Sequence, residues 1–313
     1  MIEVNLLGTG GYAPLPERYL TSLYLKYNGC VILVDCGEGT QTAIRAAGLG
    51  FKQISIICLT HFHADHIAGL PGLLLTIGNS GRTEPLTVIG PKYTGQIVKC
   101  LCVIAPQLPF DINFVEIEKE EKRKGKKSKE TNSYIFNIDS LFISVHEVEH
   151  WISCYAYRFN LKRQGRFNPG KAKSLEIPVK YWSVLQAGNN VHVNGKHFTP
   201  SDVMGNERKG ITVCYATDLR PSESISEFAA NADLFICEGM YGDSELYEKA
   251  VEHRHCLFSE AAEMAKKACV AELWLTHFSP SMVKPEEYIA SAADIFPNTR
   301  IGKKRAVLIF EEE

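Results

Sequence analysis

The chain has 313 residues, of which 45% are hydrophobic and 22% charged, and its net charge is −2. These values exclude a chain that is disordered throughout and are typical of a globular protein with a large core. No apolar run approaches the roughly 20 residues needed to cross a bilayer, and the start of the chain lacks the pattern of a signal peptide. We therefore expect a cytoplasmic protein with no membrane partner. The ten cysteines form no CxxC pair, which favours reduced thiols over disulfides.

Positive charge is concentrated in two stretches of the sequence. Residues 119–129 carry a net charge of +5, and residues 158–173 carry +6, so the remainder is acidic. Such segregation can attract a polyanion to one face of a protein, although two solvated loops would give the same pattern. We expect residues 119–131 to form the tip of a basic hairpin.

The first strand is followed by a glycine-rich segment that resembles a dinucleotide-binding loop. Residues 8–13 fit the GxGxxA pattern, and Asp35 stands at the end of an apolar strand, where the ribose-binding acid would be. That loop has to open a helix, yet Pro14 and Pro16 disfavour one. Residues 22–34 instead have the pattern of a β-hairpin. Two antiparallel strands do not make a βαβ unit, so the pattern argues against a dinucleotide site.

Short strands and helices alternate along the rest of the chain. Three of the later strands are followed by a polar residue of chemical interest, namely Asp218, Glu238 or His277. Strand ends in layered α/β folds meet at one edge, so these side chains should lie close together. Residues 164–196 show little periodicity, which is typical of a functional excursion or a flexible arm. We expect helices near 41–47, 70–77 and 93–104, and strands near 54–59, 86–89, 112–118, 133–138, 141–146, 211–215, 234–237 and 272–275.

Four potential metal ligands follow the strand at 54–59 within six residues: His61, His63, Asp65 and His66. On an extended turn the first two point to the same side, and the other two can reach a second position. Neutral imidazoles and a carboxylate suit Zn²⁺, with Mn²⁺ or Fe²⁺ as alternatives because no thiolate ligand is evident. The cluster therefore predicts a metal centre.

This cluster resembles the signature of the metallo-β-lactamase superfamily, and further segments narrow the resemblance to its ribonuclease Z branch. The resemblance implies an α/β protein with a four-layer αββα fold, formed by a single domain over residues 1–313, with a basic arm inserted at 158–196. The segments that carry it are Leu7-Gly8-Thr9-Gly10, residues 35–41, Gly69-Leu70-Pro71-Gly72-Leu73, Val148-Glu149-His150, Pro200-Ser201-Asp202-Val203, Asp218 with Arg220-Pro221, and Leu275-Thr276-His277-Phe278.

The resemblance also implies seven ligands for two Zn²⁺ ions per subunit. One ion would be held by His61, His63 and His150, the other by Asp65, His66 and His277, with Asp218 bridging the two. His146 is the alternative to His150.

Three residues would carry the chemistry that the family performs. Asp65 would orient or deprotonate the attacking water, and His255, supported by Glu238, would protonate the leaving ribose oxygen. His253 is the alternative to His255.

The implied substrate is precursor tRNA, cut on the 3′ side of the acceptor stem. The family's arm reaches across a dimer, so we expect a homodimer. The RNA-binding residues would be Arg18, Lys162, Arg163, Arg166, Lys171 and Lys173.

The sequence departs from the family pattern beside the predicted proton donor. Cys237 stands where the family has a histidine before the acid, and Cys256-Leu257 stands where it has Ser-Thr. These departures leave two alternatives open. One is a hydrolase of the same fold that acts on a small phosphodiester, sulfate ester or lactone. The other is a metal-retaining RNA-binding protein without turnover.

Overall fold

The computed structural model describes residues 1–105, 107–118, 134–302 and 306–309. The predicted basic tip at 119–131 lies outside the described residues. The chain divides into two compact units, one formed by residues 1–160 and 212–309 and the other by residues 161–211.

The first unit contains two seven-stranded β-sheets. The strands of the first sheet are β1 (Ile2–Gly8), β2 (Ser22–Tyr27), β3 (Cys30–Val34), β4 (Ile54–Cys58), β5 (Leu86–Pro91), β6 (Ile112–Ile117) and β16 (Ala306–Leu308), in the order β16-β1-β2-β3-β4-β5-β6. β2 and β3 pair antiparallel, which confirms the predicted hairpin. β3 to β6 run parallel, so the ends of β3 and β4 lie at the same edge.

The second sheet contains the three strands whose ends lead to Asp218, Glu238 and His277. Its strands are β7 (Tyr134–Ile138), β8 (Leu141–Val148), β9 (Cys154–Arg163), β12 (Arg208–Ala216), β13 (Leu234–Glu238), β14 (Leu273–Thr276) and β15 (Thr299–Ile301), in the order β15-β14-β13-β12-β9-β8-β7. β12 to β15 run parallel, so the segments that follow β12, β13 and β14 emerge on one side.

Helices cover the outer face of each sheet. Those of the first unit are α1 (Thr40–Ala46), α2 (Ala64–Ile67), α3 (Leu70–Asn79), α4 (Thr94–Leu101), α8 (Glu223–Phe228), α9 (Tyr247–His253), α10 (Phe258–Lys267) and α11 (Ala290–Ala293), with 3-10 turns at Cys102–Ile104, Ser244–Leu246 and Pro285–Tyr288. Leu73 of α3 packs with Ile57 of β4 in one buried cluster, and Ala262 of α10 packs with Phe235 of β13 in another.

The inner faces of the two sheets meet. The hydroxyl of Tyr157 on β9 donates a hydrogen bond to the carbonyl oxygen of Leu59, just after β4, across 2.7 Å. Because side chains alternate along a strand, Ile236 of β13 faces inward, opposite to Phe235, and it is fully buried. The layers are therefore helix, sheet, sheet and helix, which confirms the predicted fold class.

The second unit is built from short elements around a core of its own. They are α5 (Pro169–Ser174), a 3-10 turn (Val179–Tyr181), α6 (Trp182–Gln186), β10 (Val191–Val193), β11 (Lys196–Phe198) and α7 (Pro200–Val203). Ala172, Leu185 and Phe198 are buried together, and the Trp182 indole N–H donates to the Ile177 carbonyl oxygen across 2.9 Å. Sequence periodicity misses these elements because each has only three to six residues.

Two predictions from composition can be compared with the structure. All ten cysteines lie in the described ranges, and none forms a disulfide, as the absence of a cysteine pattern predicts. Within the same ranges no helix combines the length and the apolar character that crossing a membrane would require.

Candidate metal centre and active site

The segments that follow six strands meet at one edge of the first unit. Three of the residues there have left-handed backbone angles, with φ of 58° at Asp35, 56° at Asp218 and 59° at His277. This conformation turns the chain sharply after the strand and is uncommon outside glycine. The strands and the residues that follow them are β3 with Asp35, β4 with His61, β8 with His150, β12 with Asp218, β13 with its last residue Glu238, and β14 with His277.

A first group of donor atoms is formed by His61, His63, His150 and Asp218, each of which offers one atom within 4.8 Å of the others. His63 Nδ1 lies 2.9 Å from His61 Nε2 and 3.4 Å from His150 Nε2. Asp218 Oδ1 lies 3.9 Å from His61 Nε2 and 3.8 Å from His150 Nε2. Imidazole nitrogens that converge in this way suit a shared cation.

A second group is formed by Asp65, His66 and His277. The Nε2 atoms of the two histidines are 3.3 Å apart, and Asp65 Oδ2 lies 3.6 Å from that of His66 and 3.4 Å from that of His277. Asp218 Oδ2 completes the group, at 3.1 Å from His66 Nε2 and 3.3 Å from His277 Nε2. Asp218 therefore directs one oxygen at each group.

The electrostatics of Asp218 suit a metal ligand. Burial alone would raise the pKa of its carboxyl group, but His277, His66 and His61 hold that pKa well below its usual value. The carboxylate is therefore ionised, as a ligand must be.

The structure separates the two histidines between which the sequence left a choice. His150 belongs to the first group, whereas His146 stacks on Phe228, with 5.3 Å between ring centroids. His146 joins no group of metal donors in the described part of the chain. The arrangement favours His150.

Asp35 and Thr60 support the second group and were not predicted as site residues. The Asp35 carboxylate accepts hydrogen bonds from the backbone N–H and the hydroxyl of Thr60, each across 2.8 Å, and lies 2.8 Å from His66 Nδ1. The signal was present in the sequence, because Asp35 ends an apolar strand and Thr60 precedes the histidine cluster. A carboxylate behind a ligating histidine fixes the orientation of its ring.

The glycine-rich segment after β1 has a role at this site. A Cβ at Gly11 would lie 2.7 Å from a ring carbon of His277, so only glycine allows this approach. The backbone N–H of Tyr12 donates to Asp65 Oδ2 across 2.7 Å. The ring of His277 therefore accounts for glycine at position 11, and the backbone N–H of residue 12 supports Asp65.

The half-buried His255 pairs with the buried Glu238 beside both groups. His255 Nδ1 lies 3.0 Å from Glu238 Oε2, and the other oxygen of Glu238 accepts the backbone N–H of Leu219. Burial lowers the pKa of His255, but Glu238, Asp218 and Asp65 outweigh it and raise this pKa to about 9.

Arg220 holds the segment that contains His255. Its guanidinium donates to the His255 carbonyl oxygen and to both oxygens of Glu260, at 3.0 and 2.5 Å. This contact too was not predicted as part of the site.

A cavity of about 590 Å³ opens onto the two donor groups. Its walls include Asp65, His150, Asp218 and His255 together with the predicted alternative His253. The cavity is large enough for a phosphodiester and its neighbouring groups.

The structure places the six predicted RNA-binding residues in two different units. The Arg18 guanidinium donates to the carbonyl oxygens of Met282 and Val283, each across 2.8 Å, and lines a separate cavity of the first unit. These bonds tie the segment before β2 to the segment after β14. The other five belong to the second unit, which begins within the last residues of β9. Lys162 and Arg163 end that strand, and Arg166, Lys171 and Lys173 are exposed. Contact of any of the six with RNA stays a prediction.

The fold and the metal-donor cluster define a metal-dependent hydrolase of the metallo-β-lactamase superfamily, and the family model of that superfamily matches residues 16–120. The chain is 50% identical to ribonuclease Z of Agathobacter rectalis, with 100% of both chains covered. It is 47% identical to ribonuclease Z of Clostridium acetobutylicum, with 100% of this chain and 99% of that protein covered. The chain therefore belongs to the ribonuclease Z family.

Solved structures agree with this fold. The crystal structure of human tRNase Z, short form, has a TM-score of 0.64 and 24% identity, and covers 90% of this chain and 93% of that one. The metallo-β-lactamase fold protein YhfI from Bacillus subtilis has a TM-score of 0.65 and 19% identity, and covers 97% of each chain. At identities this low, the similarity to these two structures supports the fold and nothing more.

Proposed function

We propose that this chain is a metal-dependent endoribonuclease that hydrolyses a phosphodiester on the 3′ side of precursor tRNA and leaves a 3′-hydroxyl on the tRNA. The observation that carries the proposal is the position of Asp218, whose two oxygens face two groups of donor atoms beside His255. Full-length identity of 50% to a curated ribonuclease Z supports RNA as the substrate. We also propose that the enzyme acts in the cytoplasm.

The donor set fits two Zn²⁺ ions per subunit, with Mn²⁺ or Fe²⁺ as alternatives, since the seven ligands are imidazoles and carboxylates. When bound, the ions lower the pKa of water and stabilise negative charge on phosphate oxygens. His61, His63 and His150 would hold one ion and Asp65, His66 and His277 the other, with Asp218 shared between them.

The metal assignment can be tested by elemental analysis of purified protein. We expect His150→Ala to lower the metal content and His146→Ala to leave it unchanged, because only His150 lies in a donor group. Equal metal content in both variants would contradict the assignment.

Two of the chain's own groups would move protons during hydrolysis. Asp65, which accepts the Tyr12 N–H, would orient the attacking water and accept its proton. His255, held through Nδ1 by Glu238, would donate a proton from its other ring nitrogen to the leaving 3′ oxygen of the ribose. His255 lies in the cavity wall, where it can reach that oxygen.

The second unit would bind the sugar–phosphate backbone of the tRNA. Exposed Arg166, Lys171 and Lys173, together with Lys162 and Arg163, would contact backbone phosphates, which contribute affinity without sequence preference. In the proposed homodimer, this unit of one subunit would serve the active site of its partner.

The test compares two substrates, a precursor tRNA and bis-p-nitrophenyl phosphate, in the presence of Zn²⁺. We expect a single 3′ cut by the wild type, and a kcat lowered by roughly 10²- to 10⁴-fold in His255→Ala. The same variant should lose much less on the small ester, because a nitrophenolate leaves without being protonated. His253→Ala is the matched control, since His253 lines the same cavity.

Two outcomes would overturn the proposal. Turnover of the small ester alone would indicate a small-ester hydrolase. Salt-sensitive RNA binding with no turnover of either substrate would indicate an RNA-binding protein.

A further inference from the structure

Two large aromatic side chains stand exposed in the wall of the active-site cavity. Tyr12 is 84% exposed and Trp151 is 61% exposed, and both line the cavity that contains Asp65 and His150. We call this pair the aromatic rim. We propose that the aromatic rim stacks the unpaired nucleobases next to the scissile phosphodiester, an inference that rests on the proposed function.

The ring of Trp151 is held in a fixed place beside the metal centre. The Arg254 guanidinium lies over it, with 4.3 Å between Cζ and the ring centroid. Arg254 also donates to the carbonyl oxygen of His150 across 2.7 Å. Trp151 follows the candidate ligand His150 in sequence, and Arg254 precedes the candidate proton donor His255. A base stacked on Trp151 would therefore lie close to the bond that is cut.

Tyr12 has a backbone conformation that its side chain does not favour. Its φ is 68°, in the left-handed region that bulky residues rarely adopt. In this conformation the Tyr12 N–H donates a hydrogen bond to Asp65 Oδ2 across 2.7 Å. A glycine at this position would donate the same hydrogen bond without backbone strain. The Tyr12 ring is also too exposed to stabilise the core. The ring is thus free to contact a ligand that enters the cavity.

Cationic side chains accompany the aromatic rim. Lys249 lines the same cavity, and its Nζ lies 5.4 Å from the centroid of the Tyr241 ring. Arg254 is the second cation. Aromatic faces for bases combined with cations for phosphates are the usual features of sites that bind single-stranded nucleic acid. Bases in a duplex are already stacked on one another, so the occupant would be unpaired.

The test uses three precursor tRNAs that differ next to the cut. One is intact, one has an abasic nucleotide on the 5′ side of the scissile phosphate, and one has it on the 3′ side. Affinity is measured by fluorescence anisotropy in a His255→Ala background, so that binding is separated from turnover. Cleavage of the intact RNA with His255 present tests the proposed function independently, so either proposal can fail alone.

The variants are Trp151→Ala, Trp151→Phe and Tyr12→Gly, each in that background. Glycine suits the backbone of residue 12 and keeps its N–H. We expect Trp151→Ala and Tyr12→Gly to weaken binding of intact RNA by roughly ten- to a hundred-fold, the range for loss of one stacked base. Trp151→Phe should retain most of the affinity. Each truncated variant should lose nothing further on the abasic RNA that lacks its partner base.

Other results would overturn the inference. One is that Trp151→Ala and Tyr12→Gly bind intact RNA as tightly as the His255→Ala parent protein. Another is an equal further loss on both abasic RNAs, since stacking on a particular base predicts a loss for only one of them. A third is dissociation of an oligomer by Trp151→Ala in sedimentation, which would make Trp151 a contact with a second copy of the chain.

Discussion

The Asp35 carboxylate and the His66 imidazole form a buried pair, with 2.8 Å between Oδ2 and Nδ1. An ionised Asp35 accepts the Nδ1 proton, which leaves His66 Nε2 as the atom that faces Asp218 and His277. The same carboxylate also accepts hydrogen bonds from the backbone N–H and the hydroxyl of Thr60. Asp35 therefore fixes both the tautomer and the ring orientation of a candidate metal ligand.

Asp35→Asn should weaken metal binding without removing a ligand. The amide can offer its NH₂ group to Nδ1, which favours the wrong tautomer of His66. We expect metal affinity to fall by about 10- to 100-fold, as for other carboxylates behind ligating histidines. Titration with a competing chelator measures this change. Asp139→Asn is the control, because Asp139 is exposed and its carboxylate accepts a hydrogen bond from the side chain of Asn28, far from the histidine cluster in sequence. Unchanged affinity in Asp35→Asn would contradict the positioning role.

Arg220→Lys should lower kcat more than it changes KM. Lysine cannot present the planar fork that joins Glu260 to the His255 carbonyl oxygen, so His255 loses its fixed position. We expect about a ten-fold loss of kcat on precursor tRNA and a free energy of unfolding lowered by about 1–3 kcal/mol. Steady-state kinetics and urea denaturation measure these quantities.

The control for Arg220 is an exposed ion pair elsewhere. Lys267 Nζ lies 2.7 Å from Glu223 Oε1, with side chains 56% and 70% exposed. Lys267→Ala should cost less than about 1 kcal/mol and leave kcat unchanged. A comparable kcat loss in both variants would mean that general destabilisation, and not the position of His255, explains the effect.

Excision of most of the second unit should affect the two substrates differently. The backbone at Gly165 runs so close to Gly205 that an added Cβ would lie 2.1 Å from the Gly205 carbonyl oxygen. A short Gly-Ser link can therefore replace residues 166–204. We expect KM for precursor tRNA to rise at least ten-fold, while hydrolysis of bis-p-nitrophenyl phosphate is retained. Equal losses on both substrates would contradict an RNA-binding role for this unit.

A milder form of this test uses the exposed lysines of α5. Lys171→Ala with Lys173→Ala should reduce the slope of log affinity against log salt by roughly 0.7–0.9 for each phosphate that the protein no longer neutralises. Lys52→Ala is the matched control, since Lys52 is an exposed lysine of the first unit. A salt slope identical to that of the wild type would count against binding of phosphates by these two lysines.

Glu116 gives the protein a pH-dependent increment of stability away from the metal centre. Its carboxylate accepts the N–H of Tyr93 at 2.9 Å and of Gly95 at 3.0 Å, at the start of α4. These bonds hold the pKa of Glu116 below its usual value of 4.5. A lowered pKa means that the contribution is complete above about pH 4.5 and is lost as pH falls through the lower, folded-state pKa.

Glu116→Gln should therefore destabilise the protein near neutral pH and not in acid. We expect the free energy of unfolding to fall by roughly 0.5 kcal/mol at pH 7. The effect is small because the side chain is exposed to solvent, which weakens its interactions. In urea denaturation, the free energies of unfolding of wild type and variant should converge as the pH is lowered from 7. Glu118→Gln, at an exposed position two residues away, serves as the control. A difference that persists unchanged in acid would contradict this explanation.

The sequence predicts the strands of this fold well because most of them are buried and apolar. β4 and β13 are recognised by their composition, and their polar ends correctly mark the edge at which the site forms. The helix expected at 93–104 is shorter, since α4 ends at Leu101 and a 3-10 turn continues to Ile104.

What the sequence misses are contacts that depend on backbone atoms far along the chain. Arg220 binds the carbonyl oxygen of His255, and a carbonyl oxygen has no sequence signature. Gly11 is needed because the ring of His277 lies against it, more than 260 residues later. Asp35 is visible as a strand-end acid, but its partner is known only once β3 and β4 are seen side by side.

The left-handed backbone at Asp35, Asp218 and His277 has a consequence for laboratory evolution. Each such residue costs the folded chain on the order of 1 kcal/mol relative to glycine. Glycine at Asp218 or His277 would relieve this strain but remove a candidate metal ligand, so heat resistance and activity are in conflict at these two sites. Thermostable versions of this enzyme have to be screened for turnover in every round.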